Sequence, residues 1–209
     1  MSCALSAGCT ASRGPEELTD DGLVRVPSRR VAGVYRAPGA TFTQYQRIML
    51  EPPTIEFVRD WRKNHSDVND TEYARIVRES AELFREEFTR EIIDRGPYEY
   101  ADELAPDVLI VNPAIQDLDI VAPDASTAPG ERQYTTGPVK MKVTGELRDA
   151  ATGKLVGRLT IYEGNERYAF NELRLANRVT NAHEQRTAFA KWARILNEAL
   201  AVAKVERPR

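Results

Sequence analysis

The sequence predicts an α/β fold: a single layer of mixed sheet, about four strands, with two helices packed on one face. Three observations carry this. Apolar residues recur at three- and four-residue steps over about 71–95 and again over about 182–204, the period of an amphipathic helix. Apolar runs or strict alternation mark strands near 45–50, 107–121, 139–148 and 155–162. The resulting order is strand, helix, strand, hairpin, helix, and a strand–helix–strand unit is normally a right-handed parallel crossover.

The chain has 209 residues, enough for one domain with extensions. At 42% hydrophobic it can bury a core. No stretch approaches the roughly 20 consecutive apolar residues of a membrane-spanning helix, which excludes a polytopic membrane protein. Lys and Arg number 29 against 32 Asp and Glu, a net charge of −3. That is no footprint for a nucleic-acid backbone. Two His and two Cys leave little for a zinc site or a disulfide scaffold, and no cofactor is expected.

Both cysteines, Cys3 and Cys9, fall in the first nine residues, and 10–209 contain none. The run Leu5-Ser6-Ala7-Gly8-Cys9 resembles the lipobox of bacterial lipoproteins. In such a box the thiol takes a diacylglycerol, small residues admit the signal peptidase, and the new amine is acylated in turn. Two or more chains anchor stably at about 0.8 kcal/mol per buried CH₂, whereas one binds only marginally. Few residues precede Cys9 and none is Lys or Arg, so 1–9 read as a truncated lipoprotein signal. A cysteine-free body suits an oxidising periplasm. Thr10 stands where such lipoproteins carry Asp when retained at the inner membrane, so the resemblance implies the outer membrane.

Residues 10–34 are rich in Ser, Gly, Pro and charge and read as a tether, with a single periplasmic domain over 35–209. A strand at Tyr45 to Leu50 is ended or kinked by Pro52-Pro53, and Ile55, Phe57 and Val58 extend it toward Asp60-Trp61. The long helix carries Tyr73, Ile76, Val77, Ala81, Phe84, Phe88 and Ile92 on one stripe. Asn69 and Glu72 have capping-box spacing before it, and Gly96-Pro97 stops it. Asp107 to Val111 reads as a covered strand continuing to Val121, and 122–138 as the longest internal loop. Val139, Met141, Val143 and Leu147 alternate with Lys140, Lys142, Thr144, Glu146 and Arg148. Residues 149–153 then turn the chain back into Leu155 to Tyr162. Asn181 and Glu184 suggest a second capping box before a helix bearing Phe189, Trp192, Ala193, Leu196 and Leu200.

Several runs along this layout resemble a bacterial lipoprotein family, domain of unknown function 3313. They are Tyr35-Arg36-Ala37-Pro38-Gly39-Ala40 with Phe42 and Tyr45, Arg47-Ile48-Met49-Leu50 with Glu56-Phe57-Val58 and Asp60-Trp61, and Pro106-Asp107-Val108-Leu109 leading to Asp117-Leu118. Glu146-Leu147-Arg148-Asp149 with Thr152-Gly153, Ala176-Asn177 with Val179-Thr180-Asn181, and Trp192-Ala193 complete the set. The order and spacing of the runs, over roughly 34–200, carry the resemblance. It implies an envelope lipoprotein without an established activity and supplies no catalytic residues.

Of the residues that could do chemistry, Asp117 and Asp119 alternate on a strand, with Asp124 in the following loop as a third ligand. Such carboxylates serve acid–base work or hold a divalent cation, though more often they form a solvated strand face. Phe57 and Trp61, among mixed charges, have the makeup of a partner-binding anchor, but the reading favours Trp61 packed as core against the long helix. Ala151-Thr152-Gly153-Lys154 is a hairpin turn and not a phosphate loop, because Arg148 and Leu155 stand where that loop needs Gly and Ser or Thr. His65 and His183 lie apart from other ligands. The sequence thus favours a non-enzymatic outer-membrane lipoprotein, its Cys9 acylated, binding another envelope component. The alternatives are a cation-dependent hydrolase on the Asp117/Asp119 face and a soluble cytosolic binding domain.

Overall fold

A computed structural model describes residues 18–27, 33–120, 134–135, 139–163, 174–175 and 178–205. Along them run Val24–Val26 (β1), Gly33–Arg36 (β2), Arg47–Leu50 (β3), Thr54–Phe57 (β4), Trp61–Asn64 (α1) and Asp70–Phe88 (α2). A π-helical turn, Thr89–Asp94, follows, then Glu99–Tyr100 (β5), Val108–Asp119 (β6), Tyr134–Thr135 (β7), Lys140–Asp149 (β8), Leu155–Glu163 (β9), Arg174–Leu175 (β10) and Arg178–Val205 (α3). Eight strands make one sheet in the order β1-β2-β9-β8-β6-β3-β5, with β4 also beside β6, while β7 and β10 pair separately.

The α/β class matches the sequence, but the sheet has eight strands and not about four, and a second two-stranded sheet accompanies it. The unforeseen strands β1, β2 and β5 are two to four residues long, too short for alternation to declare itself, and β4 is a separate strand where an extension of β3 past Pro52-Pro53 was expected. Two of them correct the expected 10–34 tether. Leu23 is fully buried, β1 pairs antiparallel with β2, and β2 pairs with β9, so the described part of that segment extends the sheet.

Strand β6 organises the rest. β3 lies parallel to it from Arg47↔Val108 to Leu50↔Val111, and β4 lies parallel further along, from Thr54↔Ala114. The two lie along the same side of β6, interrupted at Pro52-Pro53. Pro113 of β6 falls opposite that interruption. The carbonyls of Asp107 and Val111 accept from Arg47 and Glu51, so odd-numbered residues of β6 turn their backbone groups toward this edge. The N–H that Pro113 lacks would therefore have pointed at a gap, which is how a proline sits in a central strand. The other side of β6 pairs antiparallel with β8, and β8 with β9, through the predicted hairpin. Gly153 closes that turn at φ 69°, the left-handed region glycine favours.

Both long helices pack on one face and touch each other. Arg186 reaches Glu86 at 3.1 Å and Asn197 Nδ2 donates to the Glu91 carbonyl, so α2 and α3 run side by side in the same direction. Phe84, Phe88, Phe189 and Trp192 interlock between them over Ile115, Val143, Leu147, Leu159 and Ile161. Asn69 Oδ1 accepts from Glu72 N at 2.9 Å, the first half of the expected capping box. The Glu72 carboxylate also accepts from Arg75. Gly96 follows the helical run at a point where only glycine fits, since a Cβ there would lie 2.0 Å from the Ile92 carbonyl oxygen. The second expected box is not a cap. α3 begins at Arg178, leaving Asn181 inside it and buried, and the Glu184 carboxylate accepts from Val139 N at 2.6 Å.

Candidate functional site

Trp61 is 1% exposed, a core residue and not a surface anchor. Its Nε1 donates to the Ile120 carbonyl at 3.0 Å, and its ring lies against Phe57 and stacks on His65, both with centroids 4.4 Å away. Phe57, half-buried, also meets Tyr73. The pair ties α1 to the end of β6 and the first turn of α2.

Asp117 sits on a β-bulge at φ 52°, where the register of β6 against β8 slips. Before it Leu109, Val111 and Ile115 face the helices, and after it Leu118 and Ile120 do. The bulge shifts the alternation by one residue and turns Asp117 out to solvent. Asp119 lies opposite Lys140. Neither lines the two cavities described below. Asp124 and Cys9 lie outside the described residues. Among the described residues no group of three or more His, Cys, Asp or Glu could hold a metal ion.

Several residues of the resembling runs prove to be fold-building. Tyr45 donates to Asp149 Oδ2 at 2.9 Å, and Asp149 Oδ1 accepts from Thr152 N and Oγ1, binding the hairpin turn to the chain before β3. The Thr152 hydrogen bonds, then that of Tyr45, hold the Asp149 carboxyl below its ordinary pKa. Arg47 grips Asp107 through two hydrogen bonds at 2.7 and 2.8 Å, clamping β3 onto the start of β6. Trp192 lies over Gly145, where a Cβ would fall 2.4 Å from the indole ring.

Among the described residues, two concave sites of about 330 Å³ each stand out. One is an apolar groove between β1–β2 and the C-terminal half of α3, walled by Val34, Phe42, Leu159, Leu196 and Val202. The other is a cleft between α2 and the first turns of α3, closed at one end by Ile120. Ile76 and Leu83 line it, and its rim carries Arg75 bound to Glu79 and Arg186 bound to Glu86. Ser80 and Gln185, 1% and 4% exposed, also line it. Ser80 Oγ and Gln185 Oε1 have no hydrogen-bond partner among the described residues. The sequence reading passed over both, though the signal existed: Ser80 falls four residues from Ile76 and from Phe84 on the buried stripe, and Gln185 four before Phe189.

No curated protein matches the chain in sequence. Among solved structures, the PelC dodecamer from Paraburkholderia phytofirmans is 14% identical with a TM-score of 0.38, covering 78% of this chain and 96% of its own. A DUF330-family protein from Xanthomonas campestris is 10% identical with a TM-score of 0.43, covering 85% and 95%. A minor lipoprotein from Acinetobacter baumannii is 10% identical with a TM-score of 0.35, covering 76% and 94%. These likenesses are remote. The family model described as protein of unknown function (DUF3313) matches residues 17–196, nearly the whole length from before β1 to late in α3, and the chain belongs to that family.

Proposed function

We propose that this protein is an outer-membrane lipoprotein held by acyl chains on Cys9, with its α/β domain on the periplasmic face binding another envelope component without catalysing a reaction. The run Leu5-Ser6-Ala7-Gly8-Cys9 carries the reading. It puts a thiol behind small residues, where a lipoprotein peptidase cleaves and acyl chains are attached. The absence of cysteine from 10–209 supports it, since a domain in an oxidising compartment is safer without spare thiols. Family membership is consistent with it. No helix of the described residues is long and apolar enough to cross a membrane. The binding role rests on the concave α2–α3 cleft, where Ile76 and Leu83 stand beside a charged rim of Arg75, Glu79, Glu86 and Arg186.

The test is the mass of the N-terminal peptide of the protein taken from the membrane fraction of its native host. A multiply acylated peptide beginning at Cys9 is expected, and Cys9→Ala should move the protein to the soluble fraction. An unmodified N-terminus on a protein that is already soluble would end the lipoprotein reading.

A further inference from the structure

The apolar groove between β1–β2 and the C-terminal half of α3 offers carbon that a ligand can touch. Val26, Val34 and Ala199 are partly exposed and Val202 is 58% exposed, over a floor of buried Leu159 and Leu196. Its charged residues are engaged: Arg158 with Asp21 and Glu146, Arg36 and Glu198 in interactions of their own. A concave, mostly apolar site with few charges is the ordinary form of a small-ligand pocket.

The chain itself supplies a fitting occupant. Leu18 bridges to Val24, and Val26, about 7 Å further along β1, lines the groove. Only residues 10–17 lie between Leu18 and Cys9, and they reach at most about 30 Å. That stretch, Thr10-Ala11-Ser12-Arg13-Gly14-Pro15-Glu16-Glu17, has no large apolar side chain to fill the groove, and neither has Glu206-Arg207-Pro208-Arg209 at the other end. An acyl chain on Cys9 is apolar throughout. A methylene takes up about the space of a water molecule, roughly 30 Å³, so a groove of about 330 Å³ has room for roughly ten. So short a tether holds such a chain at an effective concentration in the millimolar range. A thiol bearing a diacylglycerol beside an acylated amine carries three chains, so one can leave the bilayer while two still anchor the protein.

We propose that the groove between β1–β2 and α3 holds one acyl chain of the protein's own lipidated Cys9. This deepens the lipoprotein reading and rests on it. The first arm of the experiment is a nuclear magnetic resonance titration of the isotope-labelled Cys9→Ala full chain with hexanoate, octanoate and decanoate. Saturable shifts are expected at Val26, Val34, Ala199 and Val202, with binding roughly fourfold tighter for each added CH₂. Val202→Asp should weaken decanoate binding by at least about tenfold and, at so exposed a position, leave the melting temperature unchanged. The second arm is the isotope-labelled protein from the membrane fraction of its native host, placed in phospholipid nanodiscs. There the same four signals should already stand at their decanoate-bound positions, and the mass of the N-terminal peptide is read on the same sample. A mass without acyl groups ends the lipoprotein reading and this proposal together. With acyl groups present, three results overturn the proposal alone: no saturation in the first arm, an affinity that ignores chain length, or groove signals at their ligand-free positions in the lipidated protein. A Cys9→Ala chain that dimerises through these residues would give the groove to a second copy and overturns the proposal as well.

Discussion

At the scale of single residues, the buried tyrosines Tyr45 and Tyr98 make opposite uses of their hydroxyls. Tyr45 gives its proton to Asp149, while Tyr98 is buried with a hydroxyl that has no partner among the described residues. Burial pushes both pKa values up to about 12, and the carboxylate of Asp149 adds to the effect at Tyr45. In the unfolded chain each ionises near the ordinary tyrosine value of 10.0, so folding holds the proton more tightly. The stability this contributes is complete below about pH 10 and is lost as pH rises toward about 12. The two residues should then separate on mutation. Tyr98→Phe keeps the ring on which the Lys204 ammonium rests at 4.1 Å and removes only the unsatisfied oxygen. Its melting temperature at pH 7 should be unchanged or higher, and its loss between pH 10 and 12 smaller. Tyr45→Phe breaks a hydrogen bond to a charged partner and should cost about 1.5–3 kcal/mol at pH 7. Thermal melts across pH check both, and a Tyr98→Phe variant markedly less stable at pH 7 would show that its hydroxyl has a partner after all.

At the scale of elements, the seating of α3 on the sheet turns on one missing side chain. Gly145 is the position in β8 where the pattern Met141, Val143, Leu147 omits a large residue, and the Trp192 indole fills the space. Gly145→Val would place Cβ 2.4 Å from the indole of the fully buried Trp192, which must shift to admit it. The expected loss is about 1–3 kcal/mol of overpacking strain, a melting temperature lower by roughly 2–4 °C per kcal/mol. A variant melting with the parent would mean that Trp192 can leave its seat. The long elements were legible because burial imposes periodicity over many residues, as in the run from Ile76 to Ile92 and the alternation of β8. What escaped had physical reasons. β1 and β5 are strands only because a neighbour offers a hydrogen-bonding edge, which no local pattern records. The bulge at Asp117 resets the alternation without a glycine to announce it. Asn181 and Glu184 have cap spacing, but the Glu184 carboxylate reaches 45 residues back to Val139, a contact set by tertiary packing. The candidate site was hidden differently. The chemistry-bearing aspartates stood out, whereas Ser80 and Gln185 looked like neutral breaks in apolar stripes until two helices brought them to one cleft.

At the scale of the whole molecule, the strand β1 changes how far the domain can stand from a bilayer. With 10–34 as a tether the domain would float well clear of the membrane. Because the described sheet-bearing chain begins at Leu18, only residues 10–17 separate it from Cys9. At about 3.6 Å per residue that segment reaches at most about 30 Å, so an acylated Cys9 would keep the β1–β2 edge near the surface. That edge also protects the sheet. β2 covers the backbone groups of β9 from Gly157 to Thr160, Leu23 is fully buried beneath β1, and Asp21 pairs with Arg158. A chain beginning at Ala37 loses all three. Burial of Leu23 alone is worth about 1.5–3 kcal/mol, and the uncovered β9 becomes a nine-residue edge with its neighbour β8 behind it. Such an exposed edge templates pairing between molecules. The truncated chain should therefore melt several degrees below the full chain, by roughly 2–4 °C per kcal/mol lost, and scatter light at concentrations where the full chain stays monodisperse. Equal melting temperatures and equal scattering would return residues 18–36 to the role of a dispensable tether, and with it the freedom of the domain to stand far from its anchor.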